Sequence, residues 1–127
     1  MQYGMSKTVG LTYEQAVDKV TAELKKEGFG VLTTIDVKET LKAKLNVEFP
    51  RYIILGACNP PFAHKALQVE EHVGLLLPCN VIVYEKGGAT VVAAFDPMVM
   101  TAVMDNPGMQ PIAKEVRERL DRVIAAM

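Results

Sequence analysis

The 127-residue sequence predicts an α+β domain built on an antiparallel sheet, with helices on one face of that sheet. Three features lead there. Two apolar runs, 81–86 and 89–95, are separated only by Gly87-Gly88, and paired glycines supply the positive φ angles of a primed hairpin turn. Two long segments, near each end of the chain, repeat apolar residues at helical spacing with charges on the opposite side. The run Tyr52–Cys58 is apolar without interruption, as in a strand covered on both faces and central in its sheet. No repeat, low-complexity tract or linker divides the chain, so one domain over 1–127 is expected, in the order β-α-β-(α)-β-α-β-β-(α)-α.

Taken in order, residues 3–9 alternate Tyr3, Met5 and Val9 with polar neighbours, the pattern of a strand with one wet face. Thr12-Tyr13-Glu14-Gln15 has the form of a capping box, and Tyr13, Ala16, Val17, Val20 and Leu24 form a helical stripe that Gly28 stops. Phe29, Val31, Thr33, Ile35 and Val37 alternate as a second strand. Asp36 then caps a short helix carrying Leu41 and Leu45, which ends before Pro50. After Cys58, Asn59 with Pro60 and Pro61 reads as an N-cap and the first helical positions of a helix carrying Phe62, Ala66, Leu67 and Val69, with His72 near its end.

A loop is expected near Gly74. The hairpin pairs Val83 with Val92 and Tyr84 with Val91. Asp96-Pro97 caps a short helical piece with Met98, Met100 and Met104, and Asp105-Asn106-Pro107-Gly108 breaks it. The last helix begins near Pro111; its stripe is Ile112, Ala113, Val116, Leu120, Val123, Ile124 and Met127, opposite the four-residue pairs Glu115 with Arg119 and Glu118 with Arg122.

Composition narrows the function classes. Half of the residues are hydrophobic, and 15 acidic against 14 basic side chains give a net charge of −1, so no long-range field favours nucleic acid. The first residues lack a basic stretch followed by an apolar segment, and no apolar run approaches a membrane span, so a cytoplasmic protein without a membrane partner is expected. Two cysteines are too few for a disulfide scaffold and are expected as thiols or metal ligands. Gly28-Phe29-Gly30 precedes a strand and is no dinucleotide fingerprint, and neither a Walker lysine nor a Gly-x-Ser-x-Gly elbow occurs.

Tyr52–Cys58 with Asn59-Pro60, the stretch 63–67, and above all Leu76-Leu77-Pro78-Cys79-Asn80-Val81-Ile82-Val83-Tyr84-Glu85 resemble the bacterial and archaeal family named domain of unknown function 302. The resemblance runs from the first helix to Asp96-Pro97. It implies a fold of the TATA-binding-protein-like class, with a curved antiparallel sheet, a closing C-terminal helix and a homodimeric assembly. It implies no activity.

Cys58 and Cys79 occupy echoing segments, Gly56-Ala57-Cys58-Asn59-Pro60 and Leu77-Pro78-Cys79-Asn80, each where an apolar run meets a turn signal. Parallel neighbouring strands would place the two thiols on the order of 20 Å apart. Antiparallel strands, as the resemblance implies, bring Cys58, Asn59, Cys79 and Asn80 to one sheet edge.

Four readings of that edge follow. Asn59, Asn80 and free backbone N–H groups at the helix start can hold a small, anionic or amide-containing ligand without catalysis, under an adaptable lid of methionines between Met98 and Met109. This is the reading the sequence favours, with no enzyme activity assigned. Cys58, Cys79 and His64 can supply three ligands to zinc. Cys58, just before a helix start, can act as a thiolate nucleophile. The edge can also be plain scaffold in a dimeric protein-interaction module, its asparagines turn residues and its cysteines core fillers.

Overall fold

The hairpin marked by Gly87-Gly88 lies at the heart of the sheet. In the computed structural model, which describes residues 2–127, strands β4 (Cys79–Lys86) and β5 (Ala89–Phe95) pair antiparallel across these glycines, whose φ angles are 58° and 79°. The register pairs Val83 with Val92 and Tyr84 with Val91. Strands β1 (Gly4–Val9), β2 (Gly30–Asp36) and β3 (Tyr52–Cys58) complete an open five-stranded antiparallel sheet in the order β1-β5-β4-β3-β2. The uninterrupted apolar run of β3 is therefore interior but not central: β4 takes the middle, and β3 stands next to the β2 edge.

Helix α1 (Tyr13–Lys26) starts where its capping box predicts. Thr12 Oγ1 accepts the Gln15 N–H at 3.1 Å, while Gln15 Oε1 accepts the Thr12 N–H at 3.0 Å, so two donors at the helix start are satisfied reciprocally. Ala16, Val20 and Leu24 face the sheet and are fully buried. Helix α5 (Met109–Ala125) lies beside α1 and buries Val116, Leu120 and Val123 in the same core, against Val81, Val83 and Val92 of the hairpin. Each such side chain contributes roughly 1.5–3 kcal/mol on leaving water.

Helix α5 begins two residues before Pro111. Asn106 accounts for this: its side-chain oxygen accepts the Gly108 N–H and its carbonyl accepts the Met109 N–H, and a proline at the third helical position removes an N–H with no intrahelical acceptor. Of the expected ion pairs along α5, Glu115 with Arg119 forms at 3.1 Å, but Arg122 turns instead to Glu27 at the end of α1, at 2.8 Å. A tertiary partner held by packing replaces the helical neighbour.

The edge strand β2 departs from simple alternation. A register shift between Val31 and Thr33 turns Leu32 outward, leaving it 68% exposed. Val37 begins helix α2 (Val37–Leu45) rather than ending the strand, because Asp36 accepts the Glu39 N–H at 2.9 Å and starts the helix there.

Helix α3 (Pro60–Val69) stops short of Glu70, and a 3-10 turn over Glu71–Leu76, which includes His72, occupies the expected loop. Helix α4 (Met98–Val103) brings Met100 into a second core with Ala66, Val73, Met109 and Ala113, at the end of the sheet where β3 finishes and β4 starts. The methionines of this region pack as core rather than hang over it as a lid; Met100 and Met109 are buried. No helix among the described residues is long and apolar enough to cross a membrane.

Candidate functional site

Antiparallel pairing of β3 with β4 sets Ala57 opposite Cys79 and Gly56 opposite Asn80, so Cys58, Asn59, Cys79 and Asn80 meet at one end of the sheet. Successive residues of a strand point to opposite faces. Cys79 accordingly falls on the helix side and is buried, while Asn80 falls on the other side and is exposed. The β3 backbone is pressed close here: a Cβ on Gly56 would overlap Thr33 Oγ1 and stand 2.8 Å from Pro78 Cγ. Only glycine lets the edge strand and the β4 entry close over β3.

The end of the sheet, α3, α4 and α5 wall a half-open pocket of about 290 Å³. Cys58 and Cys79 line it together with Phe29, Leu32, Ala57, Asn59, Phe62, Ala63, Ala66, Leu67, Leu77, Pro78, Met100, Ile112 and Val116. Its floor is made of the buried Ala57, Ala66, Cys79 and Met100, and its rim of the exposed Leu32 and Leu67. Both cysteines are free; Cys58 is half-buried.

Asn59 brings the only side chain of the lining with strong hydrogen-bonding groups, and its amide is committed elsewhere. The side chain does not cap α3. Instead it is buried and donates from Nδ2 to the Glu27 carbonyl at 3.1 Å, tying the end of α1 to the start of α3; Arg119 Nη1 donates to the same oxygen at 3.0 Å. Gly28, at φ +88°, makes the close approach possible, since a Cβ there would stand 3.1 Å from Asn59 Nδ2.

The helix start offers few donors. Pro60 and Pro61 have no N–H, and the Ala63 N–H is taken by the Asn59 carbonyl, so Phe62 keeps the one free N–H of the first turn. That is a poor cradle for an anion.

His64 lies exposed on α3, outside the pocket lining. Among the described residues no three of His, Cys, Asp and Glu gather closely enough to hold a metal ion, so His64 does not complete a ligand set with the two thiols. Burial pushes the Cys79 thiol from 9.0 up to about 11, and the nearby Cys58 adds to the rise. A neutral, solvent-shielded Cys79 is a packing side chain of the pocket floor.

Sequence reasoning brought the two cysteines here; it read Phe62, Ala66 and Leu67 as a helical stripe without assigning them to the site. It missed Leu32 and Val116. The first needed the β2 bulge; the second belonged to a stripe long enough to face two things at once.

A second hollow, at the opposite end of β3, is polar and self-compensated: Arg51 meets Glu14 and Glu85 and stands 5.6 Å from the centre of the Tyr13 ring. Its charges satisfy one another, whereas the pocket at the cysteines holds apolar surface that none of the described residues covers.

Fold and site together define an open-sheet α+β domain with an apolar chamber at one end of the sheet. The chain belongs to the family described as domain of unknown function DUF302, whose profile matches residues 5–127. It is similar to an uncharacterised conserved protein of that family from Bacillus stearothermophilus, known from a crystal structure, at 29% identity and a TM-score of 0.91 over 98% of each chain. No curated protein matches the chain significantly.

Proposed function

We propose that the domain binds a small apolar molecule, without catalysis, in the chamber beside Cys58 and Cys79. The observation that supports this is the lining: a 290 Å³ space in which the one amide side chain, Asn59, donates to a backbone carbonyl of the protein. Polar ligands need convergent donors and acceptors, and the walls offer almost none; apolar ones need contact area, which the walls offer throughout. The anionic or amide ligand suggested by Asn59, Asn80 and the helix start is replaced by an apolar one, because Asn59 is engaged, Asn80 faces the other side of the sheet, and Pro60-Pro61 remove helix-start donors.

Fluorescence titration with the neutral probe N-phenyl-1-naphthylamine tests the reading. Saturable binding at one site per chain is expected, lost on Ala63→Phe inside the pocket and weakened on Leu67→Trp at its exposed rim. Retained binding in an Ala63→Phe protein with native circular dichroism would overturn it, as would absence of saturable binding to the unaltered chain.

We further infer a homodimer. Tyr52, Ile54, Ile82, Tyr84 and Val91 share the sheet face away from α1 and α5, with the Tyr52 and Tyr84 rings stacked at 5.2 Å. A continuous apolar sheet face is the kind of surface that a second copy covers. Equilibrium sedimentation is expected to give twice the chain mass, reduced toward one chain by Ile82→Lys; a single-chain mass for the unaltered protein would remove this reading.

A further inference from the structure

Resting on the apolar-ligand reading of the same chamber, we propose that its ligand is a medium-chain alkyl carboxylate, held by its hydrocarbon tail with the carboxylate left at the mouth. The burial of the lining residues gives the chamber a direction. Ala57, Ala66 and Cys79 close the inner end, and Leu32 and Leu67, 68% and 43% exposed, form the open end. A molecule entering past two exposed leucines meets apolar surface along its whole path and reaches no free polar side chain at the floor. Such a path accepts a hydrocarbon tail and requires any polar group to trail outside.

Volume sets the length of the tail. The chamber, at about 290 Å³, is roughly twice the ~150 Å³ apolar cavity that accommodates one benzene, so it takes on the order of ten to twelve carbon atoms.

Charge at the wall sets the head group. The Phe62 ring, half-buried in the wall, has the Lys65 ammonium 5.4 Å and the Arg119 guanidinium 5.1 Å from its centre. Arg119 is already compensated by Glu115 at 3.1 Å and by the Glu27 carbonyl, and the Glu27 carboxylate is taken by Arg122. None of the ion pairs among the described residues uses Lys65. Of the two cations over the Phe62 ring, Lys65 is thus the flexible one left without an acidic partner among the described residues, suited to a carboxylate and adverse to an ammonium head.

Calorimetric titration of the unaltered chain with hexanoate, octanoate, decanoate and tetradecanoate, and with decanol and decyltrimethylammonium, tests this. Affinity is expected to rise about four-fold per methylene up to ten or twelve carbons, the factor that corresponds to burying one methylene, and to level off beyond. Decanoate is expected to exceed decanol by up to about five-fold, the scale of an exposed ion pair, and Lys65→Glu is expected to erase that preference while leaving decanol unchanged.

Affinity independent of chain length would overturn the tail assignment. Equal or tighter binding of decyltrimethylammonium, or a decanoate preference that survives Lys65→Glu, would overturn the head-group assignment. If N-phenyl-1-naphthylamine binds at one site while none of the alkyl series does, the alkyl-carboxylate inference falls and the apolar chamber stands; if neither the probe nor the series binds, both fall.

Discussion

Raising pH from 8.5 to 11 should destabilise this protein through Cys79, and replacing that residue should remove the effect. The folded thiol sits at about 11 against 9.0 without the fold, chiefly because burial disfavours the thiolate and secondly because Cys58 lies close. Between these values the unfolded chain has released the proton while the folded chain still holds it. The unfolded state then binds fewer protons, so stability falls as pH rises. The full difference of two units, at 1.36 kcal/mol each, comes to about 2–3 kcal/mol lost across that window. Tyrosines and lysines also titrate there, so the quantity to measure is the difference between the unaltered chain and Cys79→Ala. Urea unfolding followed by circular dichroism at pH 8.5, 9.5, 10.5 and 11 gives both curves. Cys79→Ala should be less stable near pH 8 for want of packing, and the gap should narrow by about 2–3 kcal/mol toward pH 11. A constant gap across the series would refute the buried, neutral thiol, and with it the assignment of Cys79 to the chamber floor rather than to thiolate or metal chemistry.

Gly56→Ala should cost about 1–3 kcal/mol in urea unfolding, because a Cβ there meets Thr33 and Pro78 from two neighbouring strands; an effect below 0.5 kcal/mol, taken as about the scale of a neutral surface change, would show that these strands yield freely. Asn59→Ala should lose about 1–3 kcal/mol by leaving the Glu27 carbonyl with one donor fewer in a buried place, measured the same way. The hydrogen bond and charge of Arg122 hold the Glu27 carboxyl below its usual value, so its contribution is present above pH 4.5 and lost as pH falls through the lowered value; Arg122→Ala should flatten the acid limb of the stability profile, and an unchanged limb would count against that pair. Hydrogen exchange should show the amides of Val81, Val83 and Val92 as the slowest in the chain, since they sit on strands paired on both sides under α1 and α5; faster exchange there than at β2 would contradict the strand order.

The relation between sequence and structure differs sharply from one residue to the next. Thr12 and Gln15, Gly87 and Gly88, and the pairing of Val83 with Val92 were legible, because each depends on contacts only a few residues apart or on the length of one turn. Asn59 was not: its place before two prolines is that of an N-cap, yet its amide goes to Glu27, a partner 32 positions away. Arg122 likewise has a suitable helical neighbour in Glu118 and chooses Glu27, 95 positions away.

Local backbone chemistry thus determined, from the chain alone, the kinds of element and their order, while the meeting of the two cysteine segments followed only from the antiparallel pairing that the family resemblance implied. What that meeting place is for was decided by packing. The β2 bulge turns Leu32 to the rim, the alternation of β4 sends Cys79 inward and Asn80 outward, and α3, α4 and α5 close over the sheet end without filling it. A cavity is space left over between elements distant in sequence, so no residue pattern along the chain encodes it, and its apolar character appears only when the one amide on its wall is found to be spoken for.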